Sequence, residues 1–514
     1  MLIPQMLQRN ALNFASRKAL SHEHRERTWQ DLAISTAKYA ELLSQHGVGK
    51  RTRVGVIALN SDRYVETFFA LSWLGAVIVP MNSRWAYDEH KYAVDDSSLT
   101  HLIVDDTFHG VADAITGDAK SIKAVFNIGE NKHPKAIDVY RELERYHGIP
   151  PASYDINSLA GIYYTGGTTG FPKGVMLSTL NFWSSAMATV TGYKLNAQPV
   201  SFQHALPFFH IAGTAGFLAC SLVGASQYFT AVFVPEKLID DIERNQVSHL
   251  MLVPTMIAMM LDDKSFKPKR LESLRQVIYG ASPILESTLT KVLAELPNIE
   301  FYQGYGQTEA APAISILGPD EHKSHHSKLL RSAGKACDCV AIRIVDSKGK
   351  DAALGEAGEV VVSGPNVMLG YLNKRKETED AVKNGWLYTG DIGYLDAEGY
   401  LFLLDRAKDM IVTGAENVYS AEVETAISTC PGVDSVAVIG VPHDKWGEAV
   451  HAVIVTREPL TFDDVIAHCR TRIAGFKCPK TIEFRQTPLP LSPAGKILKT
   501  ELRQAFQSQS AKSA

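Results

Sequence analysis

Short, almost wholly apolar runs alternate with mixed apolar and polar stretches over roughly the first 400 residues of the chain. Val54-Gly-Val-Ile-Ala-Leu59, Ala76-Val-Ile-Val79 and Leu102-Ile-Val104 contain no polar position. A strand with one wet face would alternate apolar and polar residues, so these runs predict strands buried on both faces. Between the first two, Asp62 to Leu74 has the length and spacing of a helix. Thr28-Trp-Gln-Asp31 places a hydroxyl three residues before an acid, the form of a capping box, and opens another helix. Strand–helix alternation of this kind predicts an α/β architecture.

From about Leu401 the texture changes. Leu401-Phe-Leu-Leu404 reads as a strand running into the charged string Asp405-Arg-Ala-Lys-Asp409. Beyond it the pattern predicts a helix near Ala421 to Ser428 and strands Val436-Ala-Val-Ile439 and His451-Ala-Val-Ile-Val455. A helix opened by Thr461-Phe-Asp-Asp464 and a strand Thr481-Ile-Glu-Phe484 follow. About 110 residues of this texture suffice for a small separate α+β domain. The polar tail after Phe506 is expected to fray.

One stretch, Ile211 to Pro235, carries no charge and is long enough for a membrane span. It contains three glycines and several hydroxyls, and it changes to the β-prone Tyr228-Phe-Thr-Ala-Val-Phe233. A buried helix followed by a buried strand is therefore the expectation. Met1 to Asn10 lacks the basic-then-apolar order of a signal peptide.

Composition adds exclusions. With 514 residues, 45% apolar and 21% charged, the chain is neither disordered nor fibrous. The 52 basic and 56 acidic residues nearly cancel, which gives no general attraction to nucleic acid. Six cysteines include no Cys-x-x-Cys, and Cys337 and Cys339 lack a second pair at zinc spacing. All six are expected to be reduced, in a soluble cytoplasmic protein.

The segment Tyr163-Tyr-Thr-Gly-Gly-Thr-Thr-Gly-Phe-Pro-Lys-Gly-Val-Met-Leu-Ser178 carries the chemistry. Ile162-Tyr-Tyr164 reads as a strand. After it, Gly166, Gly167 and Gly170 let backbone N–H groups turn to a common point. Thr165, Thr168 and Thr169 add donors and Lys173 adds charge, which is how a chain cradles a polyphosphate. It is not a Walker A loop, since no Gly-Lys here precedes Ser or Thr.

This string resembles the phosphate loop of the adenylate-forming superfamily, which holds acyl- and aryl-CoA ligases, luciferases and adenylation domains. The superfamily's other motifs follow in order. They are Leu206-Pro-Phe-Phe-His210, Gly280-Ala-Ser-Pro283, Gln303-Gly-Tyr-Gly-Gln-Thr-Glu309, Tyr388-Thr-Gly-Asp391, Asp405-Arg-Ala-Lys-Asp409 and Leu491-Ser-Pro-Ala-Gly-Lys496. The resemblance implies a large N-terminal α/β domain over 1–404, a hinge at 405–409 and a small mobile α+β domain over 410–514. It implies ATP, Mg²⁺ and coenzyme A as cofactors and co-substrates.

By the same resemblance, Thr165, Gly166, Gly167, Thr168, Thr169, Gly170 and Lys173 hold the β- and γ-phosphates. Thr308 meets the α-phosphate and Glu309 binds Mg²⁺. Gly280, Ala281, Ser282, Gln303, Gly304, Tyr305 and Gly306 surround the adenine, and Asp391 with Arg406 holds the ribose. Lys496 stabilises the transition state of adenylation. His210 is an aromatic gate and Lys408 the pivot that exchanges one active face for another. Gly414 belongs to the loop brought in for thiol transfer, where Ala415 replaces a glycine common in relatives. Trp446, Phe476, Lys480 and Arg84 are candidate contacts for the CoA nucleotide.

The expected reaction is ATP-dependent ligation of an apolar monocarboxylic acid, fatty, alicyclic or aromatic, to CoA through an acyl-AMP. The apolar character follows from the small residues Ala212, Gly213, Thr214, Ala281, Ala310 and Ala311 and from the uncharged stretch after His210. The alternatives are delivery of the acyl group to a carrier protein or another nucleophile, and a nucleotide-binding protein without catalysis. Expected partners are the small acid, no nucleic acid, no integral membrane span and room for a homodimer.

Overall fold

The computed structural model describes residues 2–166, 172–323, 328–413, 416–443, 446–456, 458–491 and 497–513, with side chains described to residue 508. The chain forms two compact units. The first holds residues 1–281, 290–342 and 362–387, and the second holds 282–289, 343–361 and 388–514.

Two large sheets organise the first unit. In one, the strands Lys18–His22, Ser226–Phe229, Ser201–His204, His249–Leu252, Gln276–Gly280 and Glu300–Gly306 are neighbours in that order and all run parallel. Antiparallel strands Arg25–Thr28 and Ala313–Leu317 close the two sides of this parallel core. In the other sheet, Arg53–Ile57 lies between Val77–Pro80 and His101–Val104, all parallel, as their continuous apolar runs predict. The hairpin of Leu159–Thr165 and Lys173–Ser178 joins this sheet through Val77–Pro80.

Local signals set the helix ends. Asp62–Leu74 begins where Ser61 accepts from Tyr64 N at 3.2 Å and ends at Gly75, which takes a left-handed φ of 66°. Thr28 Oγ1 accepts from Asp31 N at 3.1 Å while Asp31 accepts from Thr28 N, the reciprocal capping box read from the sequence. The charge-free stretch becomes the helix Ile211–Leu222 and the strand Ser226–Phe229, both almost wholly buried. Among the described residues no helix is long and apolar enough to cross a membrane.

In the second unit, Val433–His443 pairs antiparallel with Gly447–Thr456, and Thr481–Arg485 lies parallel to the latter. Both long strands are buried on two faces in strict alternation. Val436, Val438, Val450, Ala452 and Ile454 pack with the helices Ser420–Ser428 and Phe462–Arg470. Ala437, Ile439, Val453 and Val455 turn the other way and pack with Leu502 of the helix Lys499–Ser513. Each such Val or Ile contributes about 1.5–3 kcal/mol of burial. The helix Lys499–Ser513 runs past Phe506, where the sequence predicted fraying, because Leu502 and Phe506 anchor one face on this sheet.

Candidate active site

The described ends of the phosphate-loop string lie on two paired strands. Thr165 pairs with Lys173 and Tyr164 with Gly174, so the two ends of the glycine–threonine run stand side by side. Thr165 and Lys173 are half-buried and Gly166 is exposed. Gly167, Thr168, Thr169 and Gly170 lie outside the described residues, as do Gly414 and Lys496.

A third strand ties this hairpin to Glu309. Gly370 and Tyr371 pair antiparallel with Met176 and Val175. The register carries the Tyr371 ring to within 5.0 Å of Lys173 Nζ, and Tyr371 Oη donates to Glu309 Oε1 at 2.9 Å. Met368 N donates to the Glu309 carbonyl at 2.9 Å, fixing the backbone as well as the side chain. Burial and the neighbouring Glu309 carboxylate push the Tyr371 phenol well above its ordinary pKa. The hydroxyl therefore stays a donor, and Glu309, Tyr371 and Lys173 form one constellation of carboxylate, phenol and ammonium. Thr308 opens the short 3₁₀ turn Thr308–Ala310 that presents Glu309.

Glycine is required where the strands of this region approach. A Cβ on Gly280 would stand 2.2 Å from the Gly304 carbonyl oxygen, and one on Gly306 would stand 1.6 Å from the Pro312 carbonyl oxygen. Backbone meets backbone at both points, so no larger residue fits. Strands Gln276–Gly280 and Glu300–Gly306 pair in parallel and end together, which brings Gly280, Gln303, Gly304, Tyr305 and Gly306 into one edge of the sheet. Ligands of open α/β sheets sit beyond such carboxyl ends. Ala281 follows with a left-handed φ of 68°; Ser282 begins the second unit.

His210 caps the start of the helix Ile211–Leu222, with its ring centroid 4.4 Å from that of Phe209. Arg84 is exposed after the strand Val77–Pro80, and its N–H donates to Asn82 Oδ1 at 2.9 Å.

In the second unit, Asp391 and Arg406 are direct partners across the pair of strands Trp386–Leu395 and Leu401–Arg406. Arg406 Nε lies 2.6 Å from the carboxylate of the buried Asp391. Lys408 is exposed in the turn that follows, and the next residue, Asp409, accepts from Arg503 Nη2 at 2.8 Å. Trp446 and Lys480 are brought together, with Lys480 Nζ 5.5 Å from the indole. His443 stacks on the same indole at 4.2 Å and 14°. Phe476 is exposed, with Lys477 Nζ 5.8 Å from its ring.

Sequence reasoning missed Tyr371, His443 and Arg503. A lone Gly-Tyr carries no signal until strand pairing sets it beside Glu309. His443, three residues before Trp446 at the start of a hairpin turn, was the one legible hint. All six cysteines are free, and none of the described residues forms a His, Cys, Asp and Glu cluster fit for a metal by itself.

These features converge with the comparisons to known proteins. The profile of the AMP-binding enzyme family matches residues 7–372, and that of the AMP-binding enzyme C-terminal domain matches residues 422–496. The chain belongs to this family, the adenylate-forming superfamily. Feruloyl-CoA synthase of Amycolatopsis sp. is 34% identical over 492 residues, covering 95% of this chain and 96% of that one. A medium/long-chain-fatty-acid–CoA ligase of Mycobacterium tuberculosis is 32% identical over 496 residues, covering 93% and 86%. The structure of o-succinylbenzoate CoA synthetase from Bacillus subtilis, in complex with the acyl-adenylate intermediate OSB-AMP, superposes with a TM-score of 0.85 at 30% identity. That match covers 97% of this chain and 98% of the other.

Proposed function

We propose that the protein is an ATP-dependent acid–CoA ligase, an AMP-forming acyl-CoA synthetase acting on an apolar monocarboxylic acid. In the first step a carboxylate oxygen attacks the α-phosphorus of ATP. The bond from that phosphorus to the bridging oxygen breaks, and pyrophosphate leaves. In the second step the CoA sulfur attacks the acyl carbon, the bond to AMP oxygen breaks, and thioester and AMP are formed. Two anions meet in the first step, so oriented donors and fixed positive charge carry most of the acceleration.

The observation that supports this reading best is the Glu309–Tyr371–Lys173 constellation beside the paired strands Leu159–Thr165 and Lys173–Ser178. Lys173 and the loop from Thr165 to Gly170 bind the β- and γ-phosphates, and Thr308 orients the α-phosphate. The Glu309 carboxylate, a hard oxygen donor among phosphate-binding groups, suits Mg²⁺ and would hold it. When bound, that ion neutralises phosphate charge. Asp391 receives the ribose hydroxyls while Arg406 holds its carboxylate in place. Lys496 stabilises the pentavalent phosphorus. The acyl group lies along the His210 segment and the start of the helix Ile211–Leu222, beside the small Ala212.

For the thiol step, the C-terminal domain from residue 410 turns about 405–409 with Lys408 as pivot, and Gly414 enters beside the pantetheine arm. The Trp446 indole with Lys480, Phe476 and Arg84 receives the CoA nucleotide. The stacked His443 ring keeps the indole oriented for a base.

The test is acid-dependent exchange of labelled pyrophosphate into ATP over a panel of fatty, alicyclic and aromatic acids, followed by CoA addition. Exchange with thioester formation is the expected result. Exchange and AMP release without thioester would point to a carrier protein or another nucleophile as acceptor, and no exchange would remove the reading.

A further inference from the structure

The turn that presents Glu309 is gripped from beneath by the side chain of Asn366. This residue is wholly buried, and its Nδ2 donates to the Ala310 carbonyl at 2.9 Å and to the Ala313 carbonyl at 2.7 Å. Two carbonyl oxygens need two N–H donors, so these neighbours fix which way the amide points. Its Oδ1 lies on the side of Gly364, where a Cβ would come within 2.6 Å of it and of the Cys339 carbonyl oxygen.

The two bridged carbonyls bracket a strained step of the backbone. Ala311 takes a left-handed φ of 59°, which residues with a Cβ rarely adopt. On one side its N–H donates to the Thr308 carbonyl at 3.1 Å, closing the turn Thr308–Ala310. On the other, Ala313 pairs with Gly306 and opens the strand Ala313–Leu317. Such a conformation persists only where its surroundings hold it. Asn366 supplies the hold, by tying the residue after Glu309 to the first residue of the returning strand.

The grip is itself anchored to the strand that begins with Lys173. Lys173–Ser178 runs directly into the helix Thr179–Gly192, whose N-cap is Ser178. Asn181, in the first turn, accepts from Ser178 N through Oδ1 at 2.7 Å. Its Nδ2 donates to the carbonyls of Pro365 and Val367, each at 2.8 Å, and these residues flank Asn366. Both asparagines are buried, so losing a donor costs more than it would at a surface.

We propose that Asn366 is a positioning residue for adenylation. Its amide fixes the backbone on both sides of Ala311-Pro312 and so sets the Glu309 carboxylate against the phosphates, while Asn181 keeps Asn366 in register with the strand that carries Lys173. The inference rests on the acid-ligase reading and on Glu309 as the holder of Mg²⁺. Tyr371 orients the Glu309 side chain, and Asn366 governs the backbone under it.

Asn366→Leu keeps the size of the side chain and removes both donors. Asn181→Asp keeps the oxygen that accepts from Ser178 N and removes the donors to residues 365 and 367. The experiment measures ATP affinity with magnesium and with EDTA, and pyrophosphate exchange over a magnesium titration. In Asn366→Leu the affinity in EDTA should match wild type, while the gain that magnesium adds is lost. Half-maximal exchange should need about tenfold more magnesium, and kcat/KM for adenylation should fall about a hundredfold, the cost of a misplaced group. Asn181→Asp should shift both in the same direction by about threefold. Thioester formation from supplied acyl-adenylate should stay within about threefold of wild type, since that step uses no pyrophosphate. An unchanged magnesium requirement in both variants would overturn the inference. So would an equal loss of ATP affinity with and without magnesium, or an equal loss of both half-reactions. Should Asn366→Leu misfold, Asn181→Asp decides alone. Exchange in wild type with both variants unaffected would sink this inference and leave the ligase reading standing, whereas no exchange in wild type with any acid would end both.

Discussion

Glu309 in the first unit is held by backbone register, with Tyr371 delivered to it by antiparallel pairing and Met368 N fixed on its carbonyl. The turn Asp405–Asp409 in the second unit has short-range backbone bonds, from Ala407 N to the Gly390 carbonyl and from Asp409 N and Met410 N to that of Arg406, and its ties to the following helices run through side chains. Asp405 accepts from Ser420 N, Lys499 Nζ reaches Ser420 Oγ at 2.6 Å and Glu424 at 2.7 Å, and Arg503 holds Asp409. Register cannot change without unravelling a sheet, whereas ion pairs exchange partners at small net cost. The first arrangement suits the phosphate site proposed above and the second the proposed hinge.

The strongest way to break this comparison is to separate the two half-reactions. Lys496→Ala should lower adenylate formation about a thousandfold, while thioester formation from supplied acyl-adenylate persists. Lys408→Pro should do the reverse. Lys408 N–H enters none of the hydrogen bonds described, so proline acts there by fixing φ alone. Parallel loss of both half-reactions in either variant, read by pyrophosphate exchange and by thioester assay, would contradict the division of labour.

A smaller effect sharpens the first half of the comparison. Tyr371→Phe removes the phenol that orients Glu309 and should reduce adenylation about tenfold, with a raised magnesium requirement. Glu309→Gln should show the larger shift in that requirement. A magnesium titration unchanged in both variants would take Glu309 out of the metal role.

The smallest effect concerns acid stability. Burial lowers the pKa of His204 to about 3 and of His90 and His249 to about 4, all in the first unit. Below the ordinary histidine value of about 6.5, the unfolded chain takes up protons that these buried rings refuse. Their contribution is therefore complete above pH 6.5 and fades as pH falls toward 4, by about 1.4 kcal/mol per pH unit for each ring. In the second unit, burial lowers His451 and His468. Hydrogen exchange should show protection in the parallel sheets falling between pH 6.5 and 4.5 faster than in the strands Val433–His443 and Gly447–Thr456. Equal loss in the two regions would break the contrast.

What was legible in the sequence was local. The length and spacing of Asp62–Leu74 marked a helix, and uninterrupted apolar runs marked the strands Arg53–Ile57, Val77–Pro80 and His101–Val104. The phosphate-loop motif could be placed after the strand Ile162–Tyr164 before any geometry was known, whereas Gln303–Gly306 was read only by its resemblance and its place at a strand end came from the structure. The partnership of Tyr371 with Glu309 could not, because it depends on two residues pairing with Val175 and Met176 far upstream. Nor could the hydrogen bond between His204 Nε2 and Gln227 Oε1, which depends on the strands Ser201–His204 and Ser226–Phe229 pairing. The helix Lys499–Ser513 outran its expected end because Leu502 and Phe506, spaced one turn apart, dock on the sheet while the polar residues between them face away from it.

The bare backbones at Gly280 and Gly306 bear on anyone who recasts this enzyme by directed evolution. With oxygen atoms already occupying the place of a methyl group, libraries randomised at those two codons should yield almost only dead clones. Diversity is better spent on Ala212, half-buried at the start of the helix Ile211–Leu222, and on Gly216, where a Cβ would meet nothing nearer than 3.8 Å.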